Sequence, residues 1–167
     1  MKSFTKSLFL LLGFVLLIAA KSDNINKHTQ HPLVGTSYSF VFEDLDGNEV
    51  NLDEMYDKTI FLNFWASWCK PCLKEMPSIK KAHHQLKDTN YEFVLVSDDN
   101  PMKIVNFQRK YKYPFMHLYS PVSKTELGVD VLPHTYVIKN GMILAVYEGT
   151  YDWSAKTYID QLRDMAH

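Results

Sequence analysis

Cysteine is scarce in this chain of 167 residues: there are two, Cys69 and Cys72, three positions apart. A bridge between them closes so small a loop that it constrains the unfolded chain little, so reactivity explains the pair better than stability. There is no second cysteine pair and no histidine pair with ligand spacing, whereas a structural zinc site wants four ligands. A surplus of charge is also missing, since 18 Lys+Arg against 19 Asp+Glu leave a net charge of −1. Without a basic stripe, the composition argues against a nucleic-acid partner. The cations at Lys103, Arg109, Lys110 and Lys112 fall at helical spacing, as on a solvated face. Repeats and low-complexity tracts are absent. The longest apolar run, residues 8–20, is short for a membrane-spanning helix.

What is present begins with a targeting layout in residues 1–20. Lys2 and Lys6 form a positive start, an apolar run relieved only by Gly13 follows, and Ala19-Ala20 supplies small residues for cleavage. Ile18 stands where alanine is usual before a cleavage site, so a retained N-terminal anchor stays open beside a signal peptide. No cysteine lies near this region to carry a lipid. Residues 21–33 read as a polar linker and 34–167 as one domain of ordinary size.

Within that domain, residues 37–43 alternate and read as a strand. Asp46-Gly47 is a turn signal, and residues 50–52 form a short return strand. Asp53 is placed to cap a helical turn through Met55 and Tyr56. Residues 59–65 form a bounded apolar run, the pattern of a central strand buried on both faces. From 70 to 87, Leu73, Met76, Ile79, Ala82 and Leu86 recur at helical spacing, with Pro77 expected to kink the helix. Residues 91–97 read as the next strand, parallel to the first by a crossover. A helix over 101–111 puts Ile104, Val105 and Phe107 inward, and 124–127 forms a helical turn ending at Gly128. Residues 135–139 and 142–148 are strands joined by Asn140-Gly141, a strong hairpin signal. A helix over 154–165 closes the chain, with Ala155, Tyr158, Ile159 and Leu162 inward. The order is β-hairpin, βαβα, then ββα: an α/β architecture with a central mixed sheet and helices on both faces.

Cys-X-X-Cys beside a βαβ pattern reads as a redox motif. Cys69 falls between the end of a strand and the start of a helix. Unpaired N–H groups and the helix dipole favour an anion there, which lowers the thiol pKa. Cys72 lies one turn further in, close enough to bond to Cys69. Cys69 is therefore expected to attack a substrate disulfide and Cys72 to resolve the mixed disulfide. Lys70 adds a cation, and Pro71 has φ preset for a first helical turn.

The segment Phe64-Trp65-Ala66-Ser67-Trp68-Cys69-Lys70-Pro71-Cys72-Leu73-Lys74-Glu75-Met76-Pro77 resembles the active site of the thioredoxin superfamily. More narrowly, it is similar to the exported TlpA/ResA/DsbE-like thiol–disulfide oxidoreductases, which carry Trp-Cys-x-Pro-Cys-x-x-Glu-x-Pro. The likeness continues through Asp44-Leu45-Asp46-Gly47 upstream and through residues 129–138 downstream. It implies a thioredoxin fold with an N-terminal β-hairpin extension. It implies a cis peptide at Pro133, presenting the backbone of Leu132 to a substrate segment. It implies that Glu75 moves the proton of Cys72, since the buried aspartate of thioredoxin proper is matched here by Asn63, which cannot titrate. His134 either lies near the sulfurs or points to solvent. Trp65 reads as core, Trp68 as an exposed apolar rim that docks partners, His83 and His84 as surface, and Trp153 as packing.

The resemblance further implies clients among exported proteins with cysteine pairs, apocytochrome c being one class. It implies a periplasmic or cell-envelope location and a membrane-embedded thiol reductase as electron donor. No cofactor or metal is implied. Lys-Pro between the cysteines resembles reducing members more than the Pro-His type of a strong oxidant. Three other readings stand beside this one. A disulfide donor or isomerase would use the same pair. A copper-binding protein of this fold would use Cys69, Cys72 and His134 as ligands. A peroxiredoxin would need Pro-x-x-x-Thr-x-x-Cys, which is absent before Cys69.

Overall fold

The computed structural model describes residues 28–166. Seven strands form one sheet in the order β2-β1-β5-β4-β3-β6-β7. The hairpin β1 (Val41–Glu43) and β2 (Glu49–Asn51) lies at one edge. The central strand β3 (Thr59–Phe64) is buried along its whole length, parallel to β4 (Tyr91–Ser97) and antiparallel to β6 (His134–Lys139). This is the environment that its unbroken apolar run requires. Helix α1 (Lys70–Gln85) connects β3 to β4 and runs on through Pro77. Helix α2 (Pro101–Tyr111) follows, started by Asn100, whose side chain accepts from Met102 N–H at 2.9 Å. At the other edge, β6 and β7 (Met142–Glu148) are joined at Asn140-Gly141, both with positive φ. Helix α3 (Lys156–Ala166) closes the chain.

The structure corrects the sequence reading in four places. A seventh strand, β5 (Met116–Tyr119), was not expected: it lies parallel to β4 and pairs with β1. It joins the hairpin to the main sheet, so the hairpin is part of that sheet. The cap of the turn at Leu52–Glu54 is Asn51, not Asp53, for the Asn51 side chain accepts from Asp53 N–H. Among the described residues, helices do not cover both faces. The buried apolar residues of α1, α2 and α3, Ala166 excepted, join one cluster with Phe61, Phe93, Leu95, Val137 and Tyr147 of the sheet. The opposite cluster gathers Ile60, Leu62, Phe64, Val94 and Val96 under Phe40, Phe42, Leu52 and Val129, with no residue of these helices. Finally, the chain is already packed at His28, whose ring stacks on Tyr147 at 4.1 Å, so the folded part begins before residue 33. The leader expected over 1–20, and the first part of the linker, lie outside the described residues. Among the described residues, no helix is long and apolar enough to cross a membrane.

Candidate active site

The site forms where β3 ends. Trp65 continues the strand by donating its backbone N–H to Val96 O at 3.1 Å, and its ring packs on Phe107 at 4.2 Å. Ser67 anchors the turn that follows. Its backbone N–H and its hydroxyl both donate to Asp99, which is also paired with Lys103 at 3.0 Å. Burial opposes the charge of Asp99, but the bonds from Ser67 and Lys103 overcome it and hold the carboxyl below its ordinary range.

Cys69 is the N-cap of α1. Its Sγ accepts from Cys72 N–H at 3.2 Å, and the two sulfurs are bonded. Cys72 is fully buried and Cys69 is 4% exposed. Pro71 sits in the first helical turn, where a missing N–H costs nothing. The Leu132–Pro133 bond is cis. A groove over the disulfide is lined by Trp68, Cys69, Lys70, Pro71, Lys124, Asp130 and Leu132. Trp68 is 64% exposed, an apolar ring facing water at the rim, whereas Trp65 is core. Lys124 and Asp130 had no local signal; the fold brings them to the groove from the turn before β6.

Glu75 lies under the sheet, 2% exposed. Its Oε1 accepts from Asn63 Nδ2 at 3.0 Å, and its Oε2 accepts from Tyr151 N–H and Trp153 Nε1–H, each at 3.3 Å. Asn63 also donates to the Thr135 hydroxyl at 2.9 Å. Burial raises the Glu75 pKa to about 7, and the bonds from Asn63, Tyr151 and Trp153 oppose part of that rise. Trp153 is thus more than packing: it touches the carboxylate as well as the core.

His134 is the residue the structure places differently. It neither points to solvent nor offers a surface to a docked polypeptide, being fully buried. It pairs across the sheet with Phe64, and its ring packs edge-on against Phe64 and Tyr136. Alternation along β6 turns Thr135 toward Asn63 and His134 to the other face. Burial pulls its pKa down to about 4, as it does that of His117, a second buried imidazole on β5 that the sequence did not single out. His83 is half-buried, its ring edge-on to Phe93 and Phe115, while His84 is exposed. Among the described residues, no group of three His, Cys, Asp or Glu side chains is arranged to hold a metal ion.

A Cys-X-X-Cys disulfide capping the helix after a central parallel strand, opposite a cis-proline turn, defines a redox protein of the thioredoxin fold. Residues 35–146 match the AhpC/TSA family. The chain is 34% identical over 116 residues to thiol-disulfide oxidoreductase ResA of Bacillus thuringiensis subsp. konkukian, a match spanning 66% of each chain. It is 30% identical over 145 residues to ResA of Bacillus subtilis, covering 83% of this chain and 78% of that one. A Chlorobium tepidum structure assigned as thiol:disulfide interchange protein DsbE superposes with a TM-score of 0.71, at 22% identity over 80% of this chain and 98% of that one. The chain belongs to the AhpC/TSA family, among its thiol–disulfide oxidoreductases of the ResA type.

Proposed function

We propose that this protein reduces disulfides in exported proteins by thiol–disulfide exchange at Cys69 and Cys72. The observation that carries this reading is the placement of the pair: a sulfur at the cap of α1, bonded to a buried sulfur one turn in, with a buried carboxyl following on the same helix. In the reduced protein, the N–H groups at the start of α1 hold the Cys69 thiolate, which attacks one sulfur of a substrate disulfide. A Cys69–substrate disulfide forms and one substrate thiolate leaves. Glu75 takes the proton of Cys72. The Cys72 thiolate attacks Cys69 Sγ and closes the disulfide, and the second substrate sulfur leaves. The substrate is reduced by two electrons and the protein oxidised by two. Trp68 and Pro71 form an apolar rim for the substrate segment, with Leu132 and Pro133 facing it.

The leader at residues 1–20 supports export to the periplasm or cell envelope, and the likeness to ResA supports clients with cysteine pairs, apocytochrome c among them. Electrons then return from a membrane-embedded thiol reductase. Equilibration of the Cys69–Cys72 pair against glutathione or dithiothreitol buffers tests the direction. A potential near −270 mV, or somewhat higher but well below about −180 mV, fits a reductant. A value near about −120 mV overturns it in favour of a disulfide donor.

A further inference from the structure

The loop between β7 and α3 is tied to both halves of the site. Gly149, at φ 90°, donates its N–H to Pro133 O at 2.9 Å, joining the loop to the cis-proline turn. On the other side, the Ser78 hydroxyl of α1 lies 2.8 Å from Glu75 O and 3.3 Å from Tyr151 O, and accepts from Trp153 N–H at 3.2 Å. Between these ties, the loop offers two donors to one oxygen. Tyr151 N–H and the Trp153 indole N–H both reach Glu75 Oε2. Trp153 is fully buried, edge-on to Phe61 at 4.7 Å and to Tyr147 at 5.0 Å, so its ring is held with the nitrogen toward Glu75. Packing by itself needs no nitrogen there.

We propose that Trp153 is a positioning residue for exchange, its indole N–H and the Tyr151 amide fixing the Glu75 carboxylate one helical turn from Cys72. This rests on the reading of Glu75 as the group that takes the Cys72 proton. A donor to a carboxylate favours the ionised form, so the clamp offsets part of the effect of burial. Without it, Glu75 holds its proton to higher pH and is less available as a base. The other titratable groups around it are the two cysteines of α1, Tyr147, Tyr151, Tyr158, and His28 stacked on Tyr147. Burial pushes the three tyrosines upward, so they stay neutral.

The test is the titration of the Glu75 carboxyl by 13C NMR in the oxidised full chain, where neither cysteine titrates, for the wild type and Trp153→Phe. The expected result is a midpoint about one pH unit higher in W153F, with the same displacement in the pH profile of disulfide reduction by the reduced protein. An unmoved midpoint in folded W153F, or a rate lowered equally at every pH, overturns the proposal. If W153F does not fold, Ser78→Ala loosens the loop while keeping the indole. The same upward shift is expected there, and its absence overturns the proposal. Glu75→Gln separates the two readings. Loss of the pH step in E75Q assigns it to Glu75 rather than His28. A wild-type profile in E75Q overturns the proton-transfer role itself, whatever the carboxyl titration in W153F shows.

Discussion

Glu75 shows how one side chain can be read from the sequence in position but not in environment. Three residues past Cys72, its place on the helix followed from spacing alone. Its partners come from β3 and from the loop after β7, and neither is near it in the chain. Those partners and its burial have a measurable consequence. The folded carboxyl titrates near 7 and the unfolded one near 4.5, so between these values the folded state binds more protons. Its contribution to stability is therefore intact below 4.5 and is lost as pH rises through about 7. His117 and His134 run the other way: burial pulls both down to about 4, so their contribution is present above 6.5 and lost toward 4. The difference between E75Q and the wild type isolates Glu75. In urea unfolding of the oxidised protein, that difference is expected to move in favour of E75Q by about 3 kcal/mol between acid and mildly alkaline pH. A difference that stays flat with pH would show that Glu75 is not held protonated by burial.

At the scale of elements, strong periodic signals translated directly and weak ones did not. Residues 91–97, 101–111 and 142–148 form the elements read from their patterns. β5 was missed because Met116-His117-Leu118-Tyr119 is short, follows Pro114 and includes a histidine. It is a strand because β4 and β1 supply partners on both sides, a tertiary reason that local propensity does not express. The β6–β7 turn is the opposite case, written in its two residues. Asn140 and Gly141 take φ of 52° and 73°, the left-handed region in which a side chain is strained. A Cβ at Gly141 would meet only Asp53 Oδ1, at an ordinary 3.5 Å, so backbone conformation alone sets the cost. Gly141→Ala is expected to lower the unfolding free energy by about 1–2 kcal/mol with full activity retained. No measurable loss would mean that the turn relaxes to another form.

At the scale of the whole molecule, α1, α2 and α3 pack on one face of the sheet, and a groove lies open beside Cys69. Trp68 stands 64% exposed at that opening. Apolar rings so placed are typical anchors for a docked chain. Trp68→Ala is therefore expected to lower kcat/KM for a protein disulfide by about tenfold, with reduction of a small aromatic disulfide nearly unchanged. Stability should stay within about 0.5 kcal/mol. Equal losses on both substrates would place Trp68 in the chemistry rather than in docking.

By itself the sequence determined the redox pair, the helix whose start it caps and the central strand before it. Each of these is a short-range pattern of a few residues, and local sterics and spacing decide such patterns. The tertiary structure alone decided which face the helices cover, where β5 inserts and that His134 turns away from the Glu75 side of the sheet. It also decided which groups clamp Glu75. Those outcomes depend on contacts such as Asn63 with Thr135 and Trp153 with Glu75, whose partners lie more than seventy residues apart. Only the packing of the whole chain brings such groups within hydrogen-bond distance, and no local pattern encodes it.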